Sequence, residues 1–312
     1  MIEVKNLSKI FNGKNKVKAL TDVTFEIRNG EIMGFVGLNG AGKTTTIKIM
    51  AGVLRPDSGS IYFNGIDSIK NHEKVAEKIA WVPENPIFDP TMKGRDFLIY
   101  ISRFNNNLVS KDKIDEALSL LGLGEKGNDR IKSYSLGMRR RLALAQAFII
   151  EPELMLMDEA MNGLDPEGMN FFRETMKKFK DSGGSVLLSS HILTEISNIS
   201  DRITFIHKGK TFQTRTIEEL EKEFQSRMGN YIYFEVDRIG ENEIKEIKEN
   251  FNVDAKYDGK YLWLKDATDE TSAEINIYLV KKNHKVIQIN RAEFNLETLF
   301  LQKIKEIEGE KK

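Results

Sequence analysis

The sequence contains no cysteine, only six prolines, and no long apolar segment. Without cysteine there can be no disulfide, thiolate zinc site or cysteine nucleophile, and the composition suits a reducing compartment. No run approaches the roughly 18 apolar residues that a membrane-spanning helix needs. The first nine residues alternate apolar and polar side chains like a strand and lack the apolar core of a signal peptide. We therefore expect a cytoplasmic protein that leaves any membrane crossing to another chain.

The sequence also lacks an excess of either charge, with 47 lysines and arginines against 47 aspartates and glutamates. A general nucleic-acid binder carries a basic face, so we expect no nucleic-acid partner. The four histidines are scattered and do not have the spacing of metal ligands. The chemistry must therefore come from other residues.

A length of 312 residues suggests about two domains. Residues 1–210 alternate strand and helix patterns, which predicts an α/β domain with a mostly parallel sheet and a helical subdomain at about 85–150. Residues 211–230 read as a charged connector helix. Residues 231–312 predict a small α+β accessory domain of ferredoxin-like βαββαβ order, followed by a last helix that Asn295 can cap.

The strongest motif is a glycine-rich segment between an apolar strand and a helix. Glycines let backbone N–H groups face inward as an anion nest, and the helix N-terminus adds partial positive charge. Lys43 would then reach the β- and γ-phosphates of a nucleotide, and Thr44 would place its hydroxyl on Mg²⁺. The predicted nucleotide-binding residues of this segment are Gly37, Leu38, Asn39, Gly40, Ala41, Gly42, Lys43, Thr44 and Thr45.

A second motif is the apolar strand 154–158, which ends in two adjacent carboxylates. Parallel α/β sheets bind ligands at the carboxyl ends of their strands. Asp158 is a candidate Mg²⁺ ligand, and Glu159 is placed to act as the general base on an attacking water. The two motifs together indicate a nucleoside triphosphatase. The Asn-Lys-x-Asp motif of guanine-specific enzymes is absent from the sequence.

Residues 133–142 lie between these two motifs and contain Ser135 and Gly137 ahead of a basic helix. With this segment the sequence resembles the ATP-binding cassette family, whose signature has a Ser-x-Gly core. The resemblance covers about residues 1–210. Residues 162–166, which include Asp165, look like the family's D-loop. His191 looks like its switch histidine.

This resemblance implies a P-loop ATPase cassette that binds ATP and Mg²⁺ and dimerises head to tail. It implies that Ser135 and Gly137 of one copy contact the γ-phosphate held by Lys43 of the other. It also implies that His191 bonds this phosphate and helps to hold the water. Residues 7–20 resemble the adenine-side segment, with Phe11 as the aromatic side chain that stacks on the base.

The sequence departs from the family pattern at four positions. Glu84 stands where the family usually has glutamine, and its carboxylate could still bind Mg²⁺ or order water. Ala160 and Met161 replace the usual Pro-Thr, and Leu136 replaces a signature glycine. All the groups with direct chemistry remain, so we expect hydrolysis. The run of three arginines at 139–141 reads as a solvated face without a ligand.

Glu84 and the small C-terminal domain resemble bacterial exporter cassettes for drugs, peptide antibiotics or ions. We therefore expect the ATPase subunit of an exporter on the inner face of the cell membrane, with a separate permease docking near residues 83–97. The alternatives are an importer ATPase and a soluble cassette acting on ribosomes or DNA. For residues 231–290 we expect dimer support, with ligand sensing as the alternative.

Overall fold

The computed structural model describes residues 1–13, 16–104, 109–228, 231–291 and 296–309. The chain divides into two compact units, Met1–Ile217 and Glu218–Lys312. The division falls inside residues 211–230, the segment expected to be a connector helix. That expectation is corrected at its start, because Lys210–Thr216 is a strand that pairs with Arg202–His207, and the helix is Ile217–Met228. Asn295, the expected helix cap, lies outside the described residues.

Among the described residues, ten strands belong to the first unit. They are β1 (Ile2–Asn12), β2 (Lys16–Ile27), β3 (Ile32–Val36), β4 (Ser58–Phe63), β5 (Ile66–Asp67), β6 (Ile79–Val82), β7 (Leu154–Asp158), β8 (Ser185–Ser190), β9 (Arg202–His207) and β10 (Lys210–Thr216). The helices of this unit are α1 (Lys43–Met50), α2 (His72–Ala76), α3 (Gly94–Ser102), α4 (Lys111–Leu120), α5 (Leu136–Phe148), α6 (Pro166–Asp181) and α7 (Leu193–Ile199).

The ten strands form one sheet in the order β5-β4-β1-β2-β10-β9-β3-β8-β7-β6. Strands β9, β3, β8, β7 and β6 run parallel to one another. The other half is mostly antiparallel, because hairpin-like connections return the chain between β1 and β2, β4 and β5, and β9 and β10. The expectation of a mostly parallel sheet is therefore corrected to a mixed sheet.

The central strands β3, β7 and β8 are buried along their whole length. Such continuous apolar runs are typical of parallel strands covered on both faces. Strands β3, β6, β7 and β8 point the same way, so the loops that follow them meet at one edge of the sheet. This edge holds the glycine-rich loop, Glu84, the carboxylate pair and His191.

The second unit contains a four-stranded antiparallel sheet and a separate apolar core. Its elements are α8 (Ile217–Met228, which begins at the unit boundary), β11 (Ile232–Val236), α9 (Glu241–Phe251), β12 (Asp254–Tyr257), β13 (Tyr261–Lys265), α10 (Asp269–Lys281), β14 (Val286–Arg291) and α11 (Leu296–Gly309). The strand order β12-β13-β11-β14 is that of a split βαβ sheet, as the pattern predicted. Within the described ranges, no helix is long and apolar enough to cross a bilayer.

Candidate functional site

The glycine-rich loop runs from β3 into α1 and depends on close backbone packing. A Cβ atom on Gly37 would lie 2.4 Å from the carbonyl oxygen of Ile206. Gly42 has a φ of 113°, and a Cβ there would lie 2.6 Å from Leu20 Cδ2. A side chain at either position would push the loop away from the sheet. The glycines therefore hold the loop backbone where its N–H groups can face an anion.

Lys43 begins α1, and its ammonium group is turned back over the loop. Its Nζ donates to the Gly37 carbonyl at 2.8 Å and lies 3.4 Å from Glu159 Oε1. Both side chains are more than nine-tenths buried. A buried ion pair needs such additional hydrogen bonds to offset the loss of hydration.

Thr44 and Asp158 come together although they are distant in sequence. Thr44 Oγ1 donates to Asp158 Oδ1 at 3.1 Å, and Ser189 Oγ donates to the same oxygen at 2.9 Å. Burial raises the pKa of Asp158, these two hydrogen bonds lower it, and the negative charges of Glu159 and Glu84 raise it again. The net pKa is raised, so a cation beside Asp158 would favour its charged form.

Glu159 follows β7 with a φ of 51°, which turns its side chain away from the strand. Its Oε2 accepts from the His191 backbone N–H at 3.2 Å, contacts His191 Nδ1 at 2.8 Å and accepts from Asn162 Nδ2 at 3.3 Å. Its backbone N–H donates to Ser189 Oγ at 3.1 Å. The carboxylate is therefore held from two sides, with Oε1 directed at Lys43.

Lys43, Thr44, Glu159 and His191 face a cavity of about 550 Å³. Its lining residues are Phe11, Val17, Lys18, Ala19, Asn39, Gly40, Gly42, Lys43, Thr44, Thr45, Glu84, Glu159, Asn162 and His191. Four other predicted site residues are not among the described residues that line it: Gly37, Leu38, Ala41 and Asp158. Asp158 is buried and is connected to the cavity through its hydrogen bond with Thr44. Phe11 and Val17 face each other across the β1–β2 pairing and form the apolar end of the cavity. The phosphate-loop residues and the carboxylates form its polar end.

Ser135, Gly137 and Asp165 are not among the described residues that line this cavity. Ser135 caps α5 by accepting from the Met138 N–H at 3.2 Å. Asp165 caps α6 by accepting from the Gly168 N–H at 2.8 Å. Both caps stabilise helix N-termini. In this structure Ser135 and Asp165 therefore act as residues of helix N-termini outside the cavity that Lys43 lines.

The sequence did not single out Ser189, Lys18 or Asn162 as site residues. Ser189 lies at the carboxyl end of β8 next to Asp158 in the sheet register, so its position beside the carboxylate pair was a usable signal. Lys18 lies on β2, whose polar and apolar alternation gave no hint of a cavity. Asn162 was visible only as part of the D-loop resemblance.

The donor set suits a Mg²⁺–nucleotide complex. A hydroxyl and a carboxylate are hard oxygen ligands of the kind Mg²⁺ prefers, and Thr44 and Asp158 supply them side by side. Lys43 supplies positive charge, and the loop lies at the start of α1, where helix geometry favours anions. A cavity with one apolar and one anion-binding end fits a base and a phosphate chain.

Comparison with known proteins supports the same conclusion. Residues 20–162 match the family model described as ABC transporter. The chain is 33% identical over 303 residues to the uncharacterized ABC transporter ATP-binding protein YhcH of Bacillus subtilis (strain 168), covering 97% of this chain and 95% of that protein. It is 30% identical over 302 residues to the bacitracin transport ATP-binding protein BcrA of Enterococcus faecalis, covering 96% and 95%.

A solved structure of an ATP-binding subunit of an ABC transporter superposes with a TM-score of 0.65 at 29% identity. It covers 73% of this chain and 94% of that chain. The resemblance noted in the sequence is thereby confirmed. The chain belongs to the ATP-binding cassette family, as the ATP-binding ATPase subunit of an ABC transporter.

Proposed function

We propose that this chain hydrolyses ATP to drive a bacterial exporter whose membrane-spanning permease is a separate chain, on the cytoplasmic face of the membrane. The observation that carries the ATPase site is one cavity lined by Lys43, Thr44 and Glu159, with Asp158 hydrogen-bonded to the Thr44 hydroxyl. Export is supported by relatives named for bacitracin and lantibiotic transport.

In this proposal Lys43 and the loop N–H groups bind the β- and γ-phosphates. Thr44 and Asp158 hold Mg²⁺, with Glu84 available from the cavity wall, and the ion neutralises phosphate charge when bound. Glu159 accepts a proton from the attacking water. His191 keeps Glu159 in place and can bond the γ-phosphate. Phe11, 42% exposed at the apolar end, stacks on the base.

The catalytic unit in this proposal is a head-to-tail homodimer. Ser135 is exposed at the start of α5, where N–H groups and partial positive charge are available to an anion. Ser135, Gly137 and Asp165 lie outside the chain's own cavity, which supports their completing the site of a second copy. ATP would then join two cassettes, and its hydrolysis would release them.

The permease docks, in this proposal, at residues 83–97 and the adjoining part of α3. Ile87 is 93% exposed, while Phe88 packs edge-on against Phe97 with ring centroids 5.1 Å apart. Phe97 is buried, whereas Tyr100 and Phe104 form an aromatic pair in which both rings are exposed. An apolar surface beside Glu84 would let permease movement reach the nucleotide site.

The test is size-exclusion chromatography of the purified chain with and without Mg-ATP. Glu159→Gln keeps the shape of the side chain and removes the base, so we expect it to accumulate as an ATP-dependent dimer. Lys43→Ala should abolish both nucleotide binding and dimerisation. A Glu159→Gln chain that binds Mg-ATP and stays monomeric would overturn dimerisation by this chain alone.

Export itself is tested by co-expression with a candidate permease from the same organism and an assay of antibiotic resistance. Loss of resistance with Glu159→Gln, but not with a substitution on the second unit's surface, supports export. Growth dependence on uptake of a nutrient would support the importer alternative instead.

A further inference from the structure

Strand β14 forms an open edge of the sheet in the second unit. It pairs with β11, and among the described strands it has no neighbour on its other side. Natural sheets protect such edges with proline, lysine or a covering element, because unpaired backbone groups can bind another strand. Strand β14 contains neither proline nor lysine. Ile287, which lies at a register shift against β11, is 72% exposed, and Ile289 is 40% exposed. The edge is therefore both unpaired and apolar.

Helix α10 adds apolar surface beside this edge. The Arg291 guanidinium at the end of β14 donates to Asp269 Oδ1 at 2.5 Å, so the side of α10 that carries Asp269 lies next to β14. Residues four and eleven positions further along a helix share the same side, and in α10 these are Ala273 and Val280. Both are exposed, and the adjacent Ile277 is more than half exposed. Helix and strand together form one apolar surface, the edge surface, which consists of Ala273, Ile277, Val280, Ile287 and Ile289.

The charges on α10 make the edge surface complementary to a second copy of itself. The exposed Glu270 and Glu274 lie in the first half of the helix, and the exposed Lys281 ends it. If two β14 strands pair antiparallel, a two-fold axis passes between them, and the two α10 helices run antiparallel on the same side of the joined sheet. The acidic half of each helix then faces the basic end of the other, and the apolar residues of the two copies meet between them.

We propose that the edge surface is a contact between two copies of this chain, in which the two β14 strands pair antiparallel and join two four-stranded sheets into one. A second copy is favoured over an unrelated partner because a single two-fold operation satisfies the open strand edge, the apolar residues and the charge pattern together. The described lining of the nucleotide cavity includes none of these residues. The contact therefore goes beyond the proposed ATP-dependent dimer and needs no nucleotide.

The first test is analytical ultracentrifugation of the full chain without nucleotide. An interface of one strand pair and a short apolar stripe is small, so we expect a weak dimer that forms only at high protein concentration. The contact is then absent from the dilute samples in which ATP-dependent dimerisation is measured.

Ile287→Lys should raise the dissociation constant of this weak dimer about tenfold or more, because it would bury an unpaired ammonium group in the interface. Leu120→Lys on α4 is the matched control, since Leu120 is also an exposed aliphatic residue but lies in the first unit. Leu120→Lys should leave the dissociation constant unchanged, and so should Lys43→Ala, which removes only nucleotide binding.

The second test uses the absence of cysteine from the chain. Gln288→Cys places a single thiol on the exposed edge strand, and a short bis-maleimide reagent should join two copies without nucleotide. Lys256→Cys is the control, because Lys256 is equally exposed on the same face of the sheet but lies on β12, the opposite edge strand. In the joined sheet the two Lys256 positions are separated by seven strand spacings of about 4.8 Å, which is more than about 30 Å. They should not be joined.

An unmodified chain that stays monomeric at high concentration would overturn the inference, as would Ile287→Lys associating as strongly as the unmodified chain. Equal joining of Gln288→Cys and Lys256→Cys would also overturn it, because collisions alone would explain the product. Thermal melting checks that each variant is folded, and the thiol test stands by itself if Ile287→Lys does not fold. The proposed function is tested separately, since it fails only if the unmodified chain does not bind and hydrolyse Mg-ATP.

Discussion

Each unit of this protein pairs a buried lysine with a glutamate, and the surroundings of the two pairs differ. In the first unit Lys43 Nζ lies 3.4 Å from Glu159 Oε1, and both side chains line an open cavity together with Thr44. In the second unit Lys303 Nζ of α11 lies 2.7 Å from Glu223 Oε1 of α8, so this pair joins two helices. A buried charge therefore marks a functional site only when several such groups converge on accessible volume.

The largest expected difference comes from removing each lysine. Lys43→Met should lower the ATP hydrolysis rate by about 100-fold or more, because preorganised charge on the phosphates is lost. Lys303→Met, with the same change and similar burial, should lower only the stability of the second unit. Steady-state phosphate release and thermal melting measure the two effects. A similar loss of ATP hydrolysis in both variants would contradict the assignment of a functional role to the Lys43 pair and a structural role to the Lys303 pair.

The next effect concerns the apolar cores. Phe234 on β11 is fully buried in the second unit, and Phe234→Ala should cost about 3–5 kcal/mol of that unit's unfolding free energy. Mg-ATP binding should persist, since the described site lies wholly in the first unit. Phe35→Ala on β3, the strand before the phosphate loop, should lose stability and nucleotide affinity together. Denaturant titration with parallel binding assays tests both, and loss of ATP affinity in Phe234→Ala would contradict the separation.

A smaller effect should follow from Ser189→Ala. The Ser189 hydroxyl bridges Asp158 and the Glu159 backbone N–H, so its loss loosens both carboxylates. We expect a reduction of the hydrolysis rate corresponding to about 1–2 kcal/mol. The neighbouring Ser190 is equally buried, and its hydroxyl accepts from the backbone N–H of Ile192. Ser190→Ala is therefore the control. Equal ATP hydrolysis rates for Ser189→Ala and Ser190→Ala would show that the Ser189 hydrogen bonds do not contribute to hydrolysis.

The smallest effect is a pH dependence confined to the second unit. His284 contacts Asp237 at 2.8 Å and Glu243 at 3.0 Å. Burial lowers the pKa of His284, but the two carboxylates outweigh it and leave the pKa raised. The pKa values of Asp237 and Glu243 are lowered mainly by hydrogen bonds, from His284 and from the Gly240 N–H respectively.

Because the pKa of His284 is raised by folding, protonated His284 stabilises the folded unit. This stabilisation is complete at pH values below the unfolded pKa of about 6.5, and it is lost as pH rises through the folded pKa. The lowered pKa values of Asp237 and Glu243 contribute stability at pH values above the unfolded carboxyl pKa of about 4. That stability is lost as the pH falls through the folded pKa values. The second unit should therefore be most stable near pH 5 to 6. Its melting temperature should drift downward toward pH 8, and His284→Gln should flatten that drift. An unchanged slope in His284→Gln would assign the pH dependence to other groups.

Much of the architecture could be predicted from local patterns. The buried strands β3, β7 and β8 and the βαββαβ order are visible in the sequence because apolar runs and turn residues report local structure. Strand β10 was missed because Lys210–Thr216 is polar and only partly buried. Strands β1 and β2 extend further than expected because they pair with each other beyond the core as a largely exposed hairpin.

The candidate site divides in the same way. Four of the site residues lie in motifs whose spacing indicates their chemistry, namely Lys43, Thr44, Asp158 and Glu159. That they come together could therefore be predicted from the sequence. The burial of Arg140 could not be predicted. Which of the three adjacent arginines is buried depends on how α5 is rotated where it packs against β6, and the sequence of the helix does not show this. The place of Ser189 beside Asp158 also depends on which strands become neighbours, and that is a property of the sheet order.

The ion pair between Lys43 and Glu159 has a consequence for the timing of the reaction cycle. In the proposed function, Lys43 would bind phosphate and Glu159 would accept a proton from water, and here the two side chains are paired with each other. A triphosphate that bound Lys43 would therefore also release the Glu159 carboxylate. Under this proposal, substrate binding and activation of the base are a single event.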